Sequence, residues 1–118
     1  MAFPTGSGSE RLKYTKIAAL TNTNQALITG VALHIYTVVS IIWCEEGNQA
    51  DELINLLITD TDGSSNPLSI LNGTSIGAYD TFVWSDRFSF DGTQKLMTGT
   101  AAAANIDVVC TYIDQDWT

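Results

Sequence analysis

The side chains with the widest chemical range are few: one histidine, His34, two cysteines, Cys44 and Cys110, and 13 acids. A nucleophilic triad or dyad would have to use His34 as its base. His34 opens a long apolar run, and no serine or cysteine beside it is spaced to be activated. Structural zinc takes about four Cys or His ligands, and this chain holds three such residues in all. Paired carboxylates can cleave glycosidic bonds. The adjacent pairs Glu45-Glu46 and Asp51-Glu52 are what 13 acids produce by chance, and their polar surroundings read as a solvated loop. Asp60-Thr61-Asp62-Gly63 resembles the opening of a calcium loop but lacks the third acid and the closing glutamate, so it reads as an Asx turn. Gly6-Ser7-Gly8 follows no strand and opens no helix, which removes a phosphate-loop reading. The expectation is therefore no catalytic residue, no metal and no cofactor.

The elements around these residues are strands. The chain has 118 residues, one domain's length, and 45% are hydrophobic, enough for a core without disulfide or metal staples. Val, Ile, Thr and aromatic residues dominate the ordered stretches, and no ten-residue apolar stripe repeats at helical spacing. Strands are expected over 14–20, 27–31, 34–44, 52–59, 68–71, 79–84, 87–90, 95–98 and 105–113. Turn signals separate them at Asp62-Gly63, Asn72-Gly73 and Asp91-Gly92. The expected fold is all-β, a seven- to eight-stranded antiparallel β-sandwich, either jelly-roll or immunoglobulin-like, over residues 14–118. Residues 1–13, with Pro4 and the Gly/Ser run, read as an extended N-terminal arm or as a disordered tail.

Net charge is −8 and unevenly placed. Arg11, Lys13 and Lys16 against Glu10 make residues 1–16 basic, whereas the remainder is strongly acidic. An acidic body argues against nucleic acid as a partner, because phosphates are repelled. No apolar stretch approaches the 18 or so residues of a membrane span, so no membrane partner is expected. The start lacks the apolar core of a signal peptide, which points to synthesis in a cytoplasm. Cys44 and Cys110 sit in apolar runs and read either as buried thiols or as one bridge between strands.

Residues 34–44 are apolar on both faces. Ile35, Val39, Ile41 and Trp43 lie on one, and Tyr36, Val38, Ile42 and Cys44 on the other. A sandwich strand normally turns one face to water, so this pattern implies cover on both sides and predicts self-association or docking on a large assembly. Phe82 with Trp84, and Phe88 with Phe90, share faces and read as core, the alternative being an aromatic platform for carbohydrate. Trp117 lies in a polar tail, either as an anchor into a neighbour or as a cap on the chain's own body. The candidate interface residues are Phe3, Arg11, Lys13, Lys16, Tyr36, Val38, Ile42 and Trp117, with the basic arm set against a neighbour's acidic face.

Several segments together resemble the small β-sandwich virion proteins of tailed bacteriophages, especially head-decoration or cement proteins. They are the arm Pro4-Thr5-Gly6-Ser7-Gly8, the strands Thr37-Val38-Val39-Ser40-Ile41 and Thr81-Phe82-Val83-Trp84, and a C-terminal unit. That unit runs from Gly92-Thr93-Gln94-Lys95-Leu96 through an Ala-rich connector to Ile106-Asp107-Val108-Val109-Cys110-Thr111-Tyr112-Ile113. The resemblance implies a non-enzymatic protein made in the host cytoplasm and placed on the outer capsid surface. Its implied partners are the major capsid protein or another virion protein, and further copies of itself, as a trimer. A neck or fibre protein, or a carbohydrate-binding receptor module, is the alternative.

Overall fold

The computed structural model describes residues 9–47, 52–61, 67–101 and 105–118. Among the described residues nine strands follow one another and no helix occurs: β1 (Ser9–Ile17), β2 (Gln25–Thr29), β3 (His34–Glu45), β4 (Glu52–Asp60), β5 (Leu68–Ile76), β6 (Thr81–Trp84), β7 (Phe88–Asp91), β8 (Gln94–Thr100) and β9 (Ile106–Asp116). They form two antiparallel sheets. One has the order β1-β9-β3-β6, with β7 also on β3, and the other the order β2-β8-β4-β5. Because β6 and β7 pair with successive halves of β3, they act as one interrupted strand. The chain then fills eight strand positions, with its ends paired together and its middle paired together. That nesting is the wrapping of a jelly roll.

β3 is the axis of the larger sheet, and one irregularity decides its role. Its register to β9 shifts between Val38 and Ser40, so Val39 and Ser40 together oppose one residue of the partner. Such a bulge reverses which alternate positions face the core. Tyr36 and Val38 point inward before it, and Ile41 and Trp43 point inward after it, all buried. The two-faced apolar pattern of residues 34–44 is thus largely one face read across a phase change. Tyr36 and Val38 are withdrawn from the candidate interface: they are core.

That core is closed by Trp43. Its ring is fully buried, its Nε1 donates to Thr98 Oγ1 on β8 at 3.1 Å, and the Thr98 hydroxyl donates to the Asn55 carbonyl on β4 at 2.8 Å. One aromatic side chain from the larger sheet therefore ties two strands of the smaller one. Leu56, Ile54, Leu96, Ile106 and Cys110 fill the space around it.

Most strand ends shift by a few residues from expectation, and two departures matter for the surface and the sheet. β1 begins at Ser9, so residues 9–13 belong to a strand paired along its length with β9; the rest of the expected arm, with Phe3, lies outside the described residues. Asn72-Gly73 is not a hairpin turn. It sits inside β5 at a bulge, where Gly73 adopts φ +73° and its N–H donates to Asn55 Oδ1. Trp43→Phe is expected to cost about 2–3 kcal/mol, from lost volume and an unmet hydroxyl acceptor. Urea unfolding checks this, and Thr98→Val should cost less in the Trp43→Phe background than alone.

Candidate functional surface

His34 does not stand alone. At the open end of the larger sheet its Nδ1 lies 2.7 Å from Asp114 Oδ1, and Lys13 Nζ lies 3.0 Å from Asp114 Oδ2. The other ring nitrogen, Nε2, is 3.4 Å from Asp116 Oδ1. The register explains the cluster: Lys13 of β1 opposes Tyr112 of β9, and His34 of β3 opposes Asp116. Three adjacent strands thus deliver one cation, one imidazole and two carboxylates to the same face. With both ring nitrogens turned to carboxylates, the imidazole offers no edge to a nucleophile's proton. What it forms is a clasp that fastens β1 to the sandwich.

Burial pushes the Asp114 carboxyl up, but hydrogen bonds and charge from Lys13 and His34 outweigh that and hold it below the ordinary aspartate value. Asp114 in turn raises Lys13. A carboxyl held low stabilises the fold fully above its unfolded pKa, and that contribution is lost as pH falls through the lower folded value. Asp114→Asn is therefore expected to cost about 2 kcal/mol at neutral pH, with the gap to wild type closing under acid. Urea midpoints taken across pH measure both.

The expected interface residues are scattered by this geometry. Lys13 pairs with its own chain's Asp114. Arg11 is exposed beside the clasp, lining a polar cleft with Ser9 and Asp116. Lys16 and Ile42 fall on the opposite, outward face of the sheet, at a shallow apolar hollow shared with Ala18, Cys44 and Val109. Trp117 is half-buried, and its backbone N–H bonds the Leu33 carbonyl at 3.0 Å, so the tail is tied to its own body at this point.

Cross-strand partners share a face, so the registers define what the outer face of the larger sheet presents. Leu12, Ile113 and Thr37 form one row, and Lys16, Val109, Ile42 and Val83 another, with Tyr14 and Thr111 between them. Leu12 is 73% exposed, Tyr14 68% and Val83 53%. The inner face of β6 and β7 takes the other aromatics. Phe82 packs on Trp43, Trp84 on Phe88, and Phe90 on Tyr36. They pack as core, and the Trp84 indole is tied to the Asp86 carbonyl.

Two acidic residues are buried where the sequence pattern predicts exposure. Asp114 lies just beyond the expected closing strand 105–113, yet it is strand and buried. Glu45, expected in a solvated loop, is fully buried at the end of β3. Its Oε1 accepts the Gly47 N–H, and its Oε2 has no partner. Burial and the Glu45 charge together raise Glu52. The cysteines do not bridge: Cys110 opposes Ile41 and faces the core, whereas Cys44 opposes Asp107 and faces out. Burial pushes the Cys110 thiol up to about 12. In the native protein one thiol, Cys44, is expected to react with an aromatic disulfide reagent, and Cys110 only on unfolding. Two fast thiols would contradict this.

No family model and no curated protein sequence matches the chain. Among solved structures, the fold is similar to infectious bursal disease virus VP2 in its subviral particle, with TM-score 0.59 and 7% identity over 93% of this chain and 33% of that one. It is also similar to a subunit of Bacillus endospore appendages, described as disulfide-linked pili, with TM-score 0.54 and 10% identity over 100% of this chain and 97% of that one. A pentameric capsid protein from metagenomic phage sequences gives TM-score 0.50 and 12% identity over 86% and 59%. The chain spans about a third of the infectious bursal disease virus chains it matches. At these identities the likeness establishes the fold, an all-β jelly-roll sandwich.

Proposed function

We propose that this chain is a non-enzymatic virion structural protein that decorates and reinforces a phage head, docking through the outer face of its larger sheet. The observation that carries the reading is the apolar band Leu12, Tyr14, Ile42 and Val83 on a face that the chain's second sheet does not cover. Exposed apolar groups contiguous across several strands mark a surface meant for a partner. The partner is the major capsid protein or a neighbouring virion protein, and copies of the chain meet as a trimer on the outer capsid surface after synthesis in the host cytoplasm. Jelly rolls in capsid proteins of other viruses support the reading as analogy of fold. The carbohydrate alternative loses its platform, since Phe82, Trp84, Phe88 and Phe90 pack inward.

Leu12→Ser with Val83→Ser tests this. Both positions are exposed, so unfolding stability should change by less than about 0.5 kcal/mol per site. Particles purified from infected cells should carry the wild-type chain in fixed proportion to the shell protein and should shed the double variant. Retention of the variant at wild-type copy number would overturn the reading.

A further inference from the structure

The larger sheet ends at β1, and among the described residues no strand pairs with the other edge of β1. A free antiparallel edge turns the N–H and C=O of every second residue outward, a template for another strand. Natural sheets blunt such edges with short, bulged or interrupted strands. The other edges of this sandwich follow that rule. β2 is five residues long with an irregular register, β5 is irregular at two places against β4, and β6 and β7 are four residues each. β1 differs: its nine residues pair with β9 without a shift, so its free edge is long and regular. What guards it is charge, and the charges on it are complementary to themselves. Glu10, Leu12, Tyr14 and Lys16 share the outer face and are all exposed. Read in order they are acid, apolar, apolar and base.

We propose that this edge pairs with the same edge of a second copy, antiparallel, about a two-fold axis through Lys13. Such an axis sets residues equally far from Lys13 opposite each other and keeps each on its own face of the sheet. Glu10 then faces the partner's Lys16, and Leu12 faces the partner's Tyr14, each pair occurring twice by symmetry. On the other face Arg11 meets the partner's Thr15. The two Lys13 side chains meet at the axis, each held by its own Asp114 at 3.0 Å. Neighbouring registers lose the match. An axis through Leu12 sets Arg11 against the partner's Lys13, and one through Tyr14 sets Leu12 against the partner's Lys16. Two chains of net charge −8 repel one another. Along this strip, however, Arg11, Lys13 and Lys16 offset Glu10 of β1 and Asp114 and Asp116 of β9, so it is where two acidic bodies can touch. The contact does not depend on the shell docking proposed above. Being two-fold, it links one trimer to the next, and it leaves the outer face open, with both copies' apolar bands on one continuous sheet.

Sedimentation of the full chain and of charge-reversed variants tests the pairing. Glu10 and Lys16 lie about 20 Å apart along one strand, so within a single chain they cannot touch. An edge contact is small, so the wild-type chain should pass from monomer to dimer on concentration to about 1 mM. Glu10→Lys and Lys16→Glu should each weaken that association about tenfold, because each sets two like-charge pairs across the axis. The chain carrying both reversals should associate as the wild type does, and an equimolar mixture of the two single variants should form a mixed dimer. Amide exchange of the wild type needs no variant: raising the concentration should slow every second amide of β1 and leave those of β5 unchanged. A wild-type chain that stays monomeric to about 1 mM overturns the proposal. So does association that the single reversals leave unchanged, or that the double reversal fails to restore, since the contact then lies on another surface.

Discussion

The single bulge in β3 is the constraint on which the rest of the molecule depends. β3 carries β9 on one side and β6 with β7 on the other, so its side chains form the midline of the larger sheet. Without the extra residue at Val39–Ser40, either Tyr36 and Val38 or Ile41 and Trp43 would face outward. With it, all four enter one core, and Trp43 reaches Thr98 on the opposite sheet. The bulge also limits what is left outside. Beyond Ser40, Ile42 and Cys44 face out in the second half of β3, and they complete the outer apolar band with Val83 and the exposed residues of β1.

β1 makes the other half of that band, and its attachment is electrostatic as much as hydrophobic. Residues Ser9–Tyr14 are exposed, so burial contributes little to holding them. The ladder to β9 and the Lys13–Asp114–His34 clasp supply what burial does not. Asp114 can be buried because two partners occupy its two oxygens, which offsets the cost of removing a carboxylate from water. The same clasp consumes the chain's one imidazole. Chemistry that the residue types suggest in isolation becomes a fastening that keeps Leu12 and Tyr14 in the plane of the outer face.

The strands were legible in the sequence wherever one face meets the core. Residues 34–44, 52–59 and 105–113 read as strands and are strands, because β-branched, aromatic and other apolar residues dominate there without a helical repeat. The bulge was not legible: a two-residue step leaves an apolar run that looks apolar on both sides. The start of β1 was hidden for the opposite reason, since a strand exposed on both faces shows no alternation. Asn72-Gly73 carried a true local signal for a positive φ, but tertiary pairing used it as a bulge and not a turn. Of the candidate surface, Ile42 and Lys16 were found on the outer face, while Tyr36 and Val38 followed the bulge into the core. Leu12, Tyr14 and Val83 were missed because a single exposed apolar residue says nothing until registers place it beside others.

The central claim is that the outer face of the larger sheet is covered by another protein when the chain is at work. Side-chain footprinting of the isolated chain and of the same chain on purified particles measures this directly. Leu12, Tyr14 and Val83 should be labelled in isolation and protected on the particle, while Leu68, exposed on the opposite sheet, should be labelled equally in both. Equal labelling of all four residues in the two states would contradict the account.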